Sequence, residues 1–162
     1  MYSIIEPGPE NNYQSEHVDL LIESYRHWTN KDLVKIQYPE ESIYYNLYYA
    51  PYGVVSHNTD NSPVFNYGNQ TALRLFEMSW DSFIKLESKK SAEPVNRDER
   101  ERLLSQVKEH GYIDNYQGIR ISSSGKRFVI ENALVWNLID HRGDYHGQAA
   151  LFSNWTELPR DT

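Results

Sequence analysis

The sequence predicts an α+β protein, an antiparallel sheet with short helices on one face, preceded by N-terminal helices. Three observations carry that reading. Apolar residues recur at helical spacing in the N-terminal third. A strand, a turn and two short helices are compressed into Pro63–Phe83. Three β-rich segments separated by glycine-containing turns run from Tyr112 to Trp155.

Taken in order, residues 1–14 hold Pro7, Gly8, Pro9 and several Asn, and read as a mobile arm. Ser15 caps a helix over Glu16–Trp28, where Val18, Leu21, Ile22, Tyr25 and Trp28 share one stripe. The stripe packs on the protein's own core or on a second copy. The expectation is packing that includes contact between copies, a homodimer through helix 16–28. Pro39 precedes a second helix, Glu40–Tyr49, which Pro51 ends. Residues 15–52 thus form a helical extension, 53–158 the α+β domain and 159–162 a tail.

Gly53–His57 reads as a strand and Asn58–Ser62 as a polar turn. Val64-Phe65 ends a second strand, broken by Asn66-Tyr67-Gly68. Asn69 is an N-cap for a helix carrying Ala72, Leu73, Leu75 and Phe76, and Ser79 opens a turn bearing Trp80 and Phe83. Ile84–Val95 is an irregular connection. Asn96 and Glu99 form a capping box for the helix Arg97–His110, and Gly111 follows as its C′ residue. The strands Tyr112–Ser122, Lys126–Ile139 and Asp144–Trp155 complete the sheet. With Ser124-Gly125 at the centre of the first hairpin, Ile121 faces Phe128 and Ile119 faces Ile130. Arg120 then lies on the opposite face, within reach of Glu131. Both faces of Tyr145–Phe152 carry apolar or small residues, so the register of the last hairpin stays open.

The net charge of −7 argues against a general affinity for nucleic acid or anionic membranes. There is no Cys, which excludes disulfides, thiolate zinc sites, a catalytic thiol and a cysteinyl–flavin photoadduct. MYSIIEPGPENN lacks the pattern of a signal peptide, and no apolar run is long enough to span a bilayer. The expectation is a cytoplasmic protein. Hydrophobic residues make up only 39% of the chain, so its thirteen Tyr must help to fill the core, and each hydroxyl then needs a partner.

Two short strands, a run of short helices, one longer helix and a three-stranded meander resemble a PAS domain. FNYGNQTALRLFEMSWDSF is similar to the PAS segment in which an Asn precedes a small apolar helix. IRISSSGKRFVIENALVWNLIDHRGDYHGQAALFSNWTEL is similar to its closing strands. The stretches LLIESYRHWTNKDL, SHNTDNSPVFNYGNQTALRLFEMSWDSF, SAEPVNRDERERLL and GIRISSSGKRFVIENALVWNLID resemble more specifically the MEKHLA domain family of stand-alone bacterial and algal proteins. That PAS-related family also closes some plant homeodomain–leucine zipper regulators. The literal string MEKHLA is absent and no homeodomain or zipper is present, so DNA binding does not carry over.

PAS domains hold small molecules between the helices and the concave face of the sheet. The resemblance therefore implies a hollow formed by Asn66, Tyr67, Asn69, Phe76 and Trp80 on the helical side. On the sheet side it implies Ile119, Ile121, Phe128, Ile130, Trp136, Gln148 and Phe152. The expected role is a ligand-binding or sensory domain that acts through protein association, with no effector segment in the chain and no particular cofactor indicated. Two alternatives stand beside it. His57 and Asp60 could be an acid–base pair in a small α+β enzyme, or the domain could be a ligand-free interaction module. His141 and His146 bracket the last hairpin turn without a third ligand, so no metal site is expected. No P-loop, dinucleotide fingerprint or nucleophile elbow occurs.

Overall fold

Successive side chains of a strand point to opposite faces of its sheet, and in this chain both faces are covered. The computed structural model describes residues 4–159. Six strands, β1 (Gly53–His57), β2 (Phe65–Gly68), β3 (Tyr112–Ile121), β4 (Arg127–Ile139), β5 (Tyr145–Phe152) and β6 (Asn154–Glu157), form one antiparallel sheet. Its order is β2-β1-β5-β4-β3, with β6 also on β4. Leu151 pairs with Leu134 and Asn154 with Glu131, so β5 and β6 keep one register along β4 and amount to a single strand interrupted at Ser153.

One face is covered by α3 (Gln70–Phe76), α4 (Trp80–Phe83) and α5 (Pro94–His110). It carries the cross-strand row Asn137–Gln148–His57–Phe65 and, toward the first hairpin, Phe128 and Ile130. The other face carries the row Trp136–Ala149–Ser56–Tyr67 and is covered by α1 (Ser15–Thr29). Tyr25 of α1 meets the Trp136 ring edge-on at 5.1 Å. Ser24 Oγ donates to Ile139 O and accepts from Ile139 N, both at 2.9 Å. The Trp28 indole donates to Asn137 O at 2.9 Å.

Val18, Leu21, Ile22 and Tyr25 are therefore buried against the chain's own sheet. A homodimer through helix 16–28 loses its apolar seam, and α1 can offer a second copy only its polar outer face. Gln14, in the left-handed region at φ +59°, ends the chain's approach to α1, and Ser15 is its first residue rather than its cap. Residues 4–14, expected as a mobile arm, make specific contacts. The Trp80 indole donates to Ile4 O at 2.9 Å, and the Tyr48 hydroxyl lies 3.3 Å from a Glu6 carboxylate oxygen.

Three further boundaries differ from the sequence reading, each for a local reason. α2 is short, Ile43–Tyr48, because Ser42 and not the turn after Pro39 supplies the cap, accepting from Tyr45 N. Asn66, Tyr67 and Gly68 do not break β2 but form it. Gly68 has extended backbone, and glycine is needed there because a Cβ would stand 2.8 Å from the Phe83 ring. α5 begins at Pro94, whose fixed φ and missing N–H suit a first helical position, so Asn96 lies inside the helix and caps nothing. Gly111 does end α5, at φ +102°.

The first hairpin corrects a whole face. Its loop has three residues, Ser123-Ser124-Gly125, closed by Ser122 N to Lys126 O at 2.9 Å, with Gly125 at φ +89°. Ile121 consequently pairs with Arg127, Arg120 with Phe128 and Gly118 with Ile130. A one-residue slip exchanges the two faces. Ile119 and Ile121 leave the helix-covered face, and Arg120 joins Phe128 and Ile130 on it. Arg120 does not pair with Glu131, whose carboxylate accepts from the Thr156 hydroxyl instead. Among the described residues, no helix is long and apolar enough to cross a membrane.

Candidate functional site

Between the sheet and α5 lies a cavity of about 60 Å³, room for a few water-sized groups. Its apolar wall includes Phe65, Phe76, Leu103, Ile130, Val135 and Phe152, and its polar groups are His57, Ser91, Arg100, Tyr116, Arg120 and Gln148. A wider cleft of about 500 Å³ adjoins it, bounded by the Asn58–Pro63 turn, the start of the Ser88–Ser91 turn and the outer side of α5. The two share His57, Arg100, Leu104 and Gln148, so these four residues stand where cavity and cleft meet.

Of the twelve residues expected to line a hollow, the structure brings Phe76, Ile130, Gln148 and Phe152 to this cavity. Phe128 shares their face and packs edge-on against Phe76 at 5.3 Å, beside the cavity. Ile119 and Ile121 lie on the opposite face for the register reason given above. Trp136 and Tyr67 are fully buried on the α1 face. Asn66 sits in the bulge of β2, where its side-chain oxygen accepts from the Ser56 hydroxyl at 2.6 Å. Trp80 turns toward the N-terminal segment. Asn69 is a cap, as expected, accepting from Ala72 N at 3.2 Å, and it also ties three other backbone groups together.

The sequence reading missed Arg100 and Tyr116, and it placed Arg120 beside Glu131 on the opposite face, as a cross-strand ion pair that could instead hold a ligand carboxylate. Arg100 had a legible signal, since it falls three and seven positions before Leu103 and Val107, on the apolar edge of a charge-rich helix. It is 5% exposed, and its guanidinium donates to Ser88 Oγ at 2.9 Å and to Glu101 Oε1 at 3.1 Å. Burial, and then the nearby charge of Arg120, bring its pKa down to about 10. Arg120, 8% exposed, donates to Ile119 O at 2.9 Å and to the Tyr116 hydroxyl at 3.1 Å, and lies 5.6 Å from the Tyr116 ring centroid. Gly118 permits this arrangement, because a Cβ there would stand 2.3 Å from the Tyr116 hydroxyl.

Asp60 is exposed and does not orient His57, so no His57–Asp60 acid–base pair is assembled. The ring's Nδ1 instead lies 3.0 Å from Asn58 O. A carbonyl can only accept, so the neutral ring carries its proton on Nδ1. Its buried Nε2 has no hydrogen-bond partner of acceptable geometry, although Gln148 stands close enough to favour the protonated ring. Gln148 Nε2 is committed to Leu104 O at 2.9 Å and Asn137 Oδ1 at 3.2 Å. His146 pairs with Asp140 at 2.8 Å rather than with His141, and no cluster of three metal-ligating side chains occurs among the described residues.

On the other face, His17 Nε2 lies 2.8 Å from Ser56 Oγ. Burial pushes the His17 imidazole down to about 4, and burial also lowers that of His57. Above pH 6.5 both rings are neutral in the folded and unfolded chain. As pH falls below 6.5, the unfolded chain takes up protons that the folded chain refuses, so stability is lost with falling pH. For His17 the window closes near pH 4, and the loss is about 3 kcal/mol. Glu77, held down to about 2 by the Ser124 and Ser122 hydroxyls, and Asp140, held down to about 2 by His146, add a further loss at more acid pH. Urea unfolding from pH 7 to 4 should show the decline, and His17→Gln should flatten it. An equal slope in the variant would remove His17 as its source.

A five-strand antiparallel order of 2-1-5-4-3, with short helices and one longer helix across a single face, defines a PAS-type domain. Solved structures agree on the fold. A PAS domain from Colwellia psychrerythraea superposes with a TM-score of 0.56 at 13% identity, over 68% of this chain and 88% of that one. A light-oxygen-voltage domain studied with a flavin analogue gives 0.58 at 13% identity, over 74% and 87%. The light-state dimer of the fungal blue-light photoreceptor Vivid gives 0.58 at 11% identity, over 83% and 90%.

The chain belongs to the MEKHLA domain family, whose profile matches residues 15–157 and so includes α1 and α2 with the sheet. Similar curated proteins are plant homeobox-leucine zipper proteins. ATHB-15 of Arabidopsis thaliana is 24% identical over 137 residues, 84% of this chain. HOX29 of Oryza sativa subsp. indica is 25% identical over 142 residues, 85% of this chain. The chain spans only 16% of the length of either relative.

Proposed function

We propose that this chain is a small-molecule-binding sensory domain whose bound state is read by a protein partner. The observation that carries the reading is the cavity on the helix-covered face, which joins an open cleft at His57, Arg100, Leu104 and Gln148. A mostly apolar hollow with a few convergent polar groups is the usual form of a ligand site. The flavin analogue and the light-state dimer named for two proteins of this fold fit the same reading.

A route from the hollow to the outside of the domain supports the second half of the proposal. The Asn137 side chain touches Gln148 at the cavity and donates to Val107 O and Lys108 O of α5. Its backbone carbonyl, directed to the other side, accepts from Trp28 of α1. A ligand that shifts Gln148 therefore acts on both covering helices through one residue. Ligand-dependent association would use the outer face of α1 rather than its buried stripe.

Native mass spectrometry of freshly purified protein tests the binding, and light scattering of the same sample tests the association. The expected result is added mass from a small molecule, and a change in assembly when it is removed. If no added mass is seen and no compound from a metabolite library raises the unfolding temperature, the binding reading fails.

A further inference from the structure

The cavity contains an imbalance of charge. Taking a guanidinium out of water is costly unless an opposite charge and further hydrogen bonds replace the water. Two such groups, Arg100 and Arg120, line the same small cavity. Only one carboxylate answers them, that of Glu101, and its side chain is 62% exposed on the outer side of α5. Arg120 has no acidic partner among the described residues. Each guanidinium offers five N–H donors, and each has two hydrogen bonds in the folded chain. Unused donors and one unbalanced positive charge are thus held inside an otherwise apolar hollow.

From this arrangement we infer that the cavity takes a small organic carboxylate, its anionic head between Arg100 and Arg120 and its apolar body against Phe65, Phe76 and Phe152. Two arginines less Glu101 leave a single positive charge, which matches a monoanion better than a doubly charged phosphate. The planar guanidinium fork is suited to a carboxylate. The unpartnered Nε2 of His57 is independent evidence that a ligand belongs here. As an acceptor, it meets a hydroxyl or N–H elsewhere on the molecule.

The inference rests on the proposed ligand-binding role and narrows it to one chemical class. Calorimetric titration of the full chain with propanoate and butanoate, each small enough for the cavity and each set against its neutral amide, tests it. The acid should bind at least about tenfold more tightly than its amide, and Arg120→Met should remove that advantage by lowering the acid's affinity far more than the amide's. Arg120→Lys should restore part of it. A second measurement does not depend on choosing the right acid. With no ligand present, Arg120→Met removes an uncompensated buried charge, so its unfolding midpoint should equal or exceed that of the natural chain.

Equal binding of acid and amide, or an acid affinity untouched by Arg120→Met, overturns the carboxylate assignment and leaves a neutral-ligand site in place. A clearly lowered midpoint in Arg120→Met would also overturn it, by making Arg120 a structural residue. If neither these probes nor a neutral library binds the natural chain, the ligand-binding role falls together with the inference.

Discussion

Asn69→Ala is expected to lower the unfolding free energy by about 3–5 kcal/mol, well beyond the loss of a helix cap. The side chain is fully buried. Its oxygen accepts from Ala72 N at 3.2 Å and from Val54 N at 3.0 Å, and its amide donates to Leu47 O at 3.0 Å and Tyr52 O at 2.8 Å. Asn69 thus joins the start of α3, the first paired residues of β1 and the end of α2. Alanine leaves all four backbone groups without these partners in a site that water does not reach. Asn69→Asp keeps the two acceptor bonds but directs a carboxylate at two carbonyl oxygens, so it should be about as damaging near neutral pH and milder in acid. Urea denaturation measures both. A loss near 1 kcal/mol for alanine would mean that only the cap matters and that the other groups find new partners.

The second large effect is expected at Gly147. Its φ is +118°, and a Cβ there would stand 2.0 Å from the backbone oxygen of His57. The obstacle is main chain in the adjacent strand, so no side-chain rotation relieves it. Gly147→Ala must either strain the backbone or separate β1 from β5 where His57 pairs with Gln148. The expected cost is about 3–5 kcal/mol, with weakened ligand binding because both cavity residues move. Gly125→Ala is the matched control. It also has positive φ, +89°, but nothing within 4 Å of the added atom. Its cost should be about 1 kcal/mol, from backbone strain alone. Similar melting temperatures for the two variants would show that the close approach at Gly147 yields easily.

What was legible in the sequence followed how local each feature is. The helix stripe of Val18, Leu21, Ile22 and Tyr25, the Asn69 cap and the Gly111 terminus rest on interactions within a few residues, and all three are present. The order of strands and helices resembled a PAS domain, and the resemblance of particular stretches, such as SAEPVNRDERERLL, indicated the family. The first hairpin shows where local reasoning stops. SSSG permits a loop of two or three residues, and the difference decides whether Arg120 or Ile119 faces the helices. The apolar pattern favoured the register that buried four hydrophobic residues. The observed register buries Arg120 instead, held by Tyr116 four residues back and made possible by Gly118. A site that keeps a charge inside defeats a rule that expects charges outside. Arg100 was harder to see, since the NRDERER around it resembles a solvated surface, and only its spacing from Leu103 and Val107 marks it as facing inward.

The pairing of β1 with β5 has a consequence for how the chain reaches this state. Val55 and Ala150 are hydrogen-bonded neighbours separated by 95 positions in sequence. On a ribosome, β1 and β2 emerge as an isolated hairpin, which is marginal in water. The apolar stripe of α1 lacks its main packing partner until β4 has been made. Closure of the sheet therefore waits for the last hairpin, and pairings this distant in sequence slow folding. Truncation before β5 should yield not a smaller domain but an aggregation-prone fragment, with strand edges and the α1 stripe exposed together.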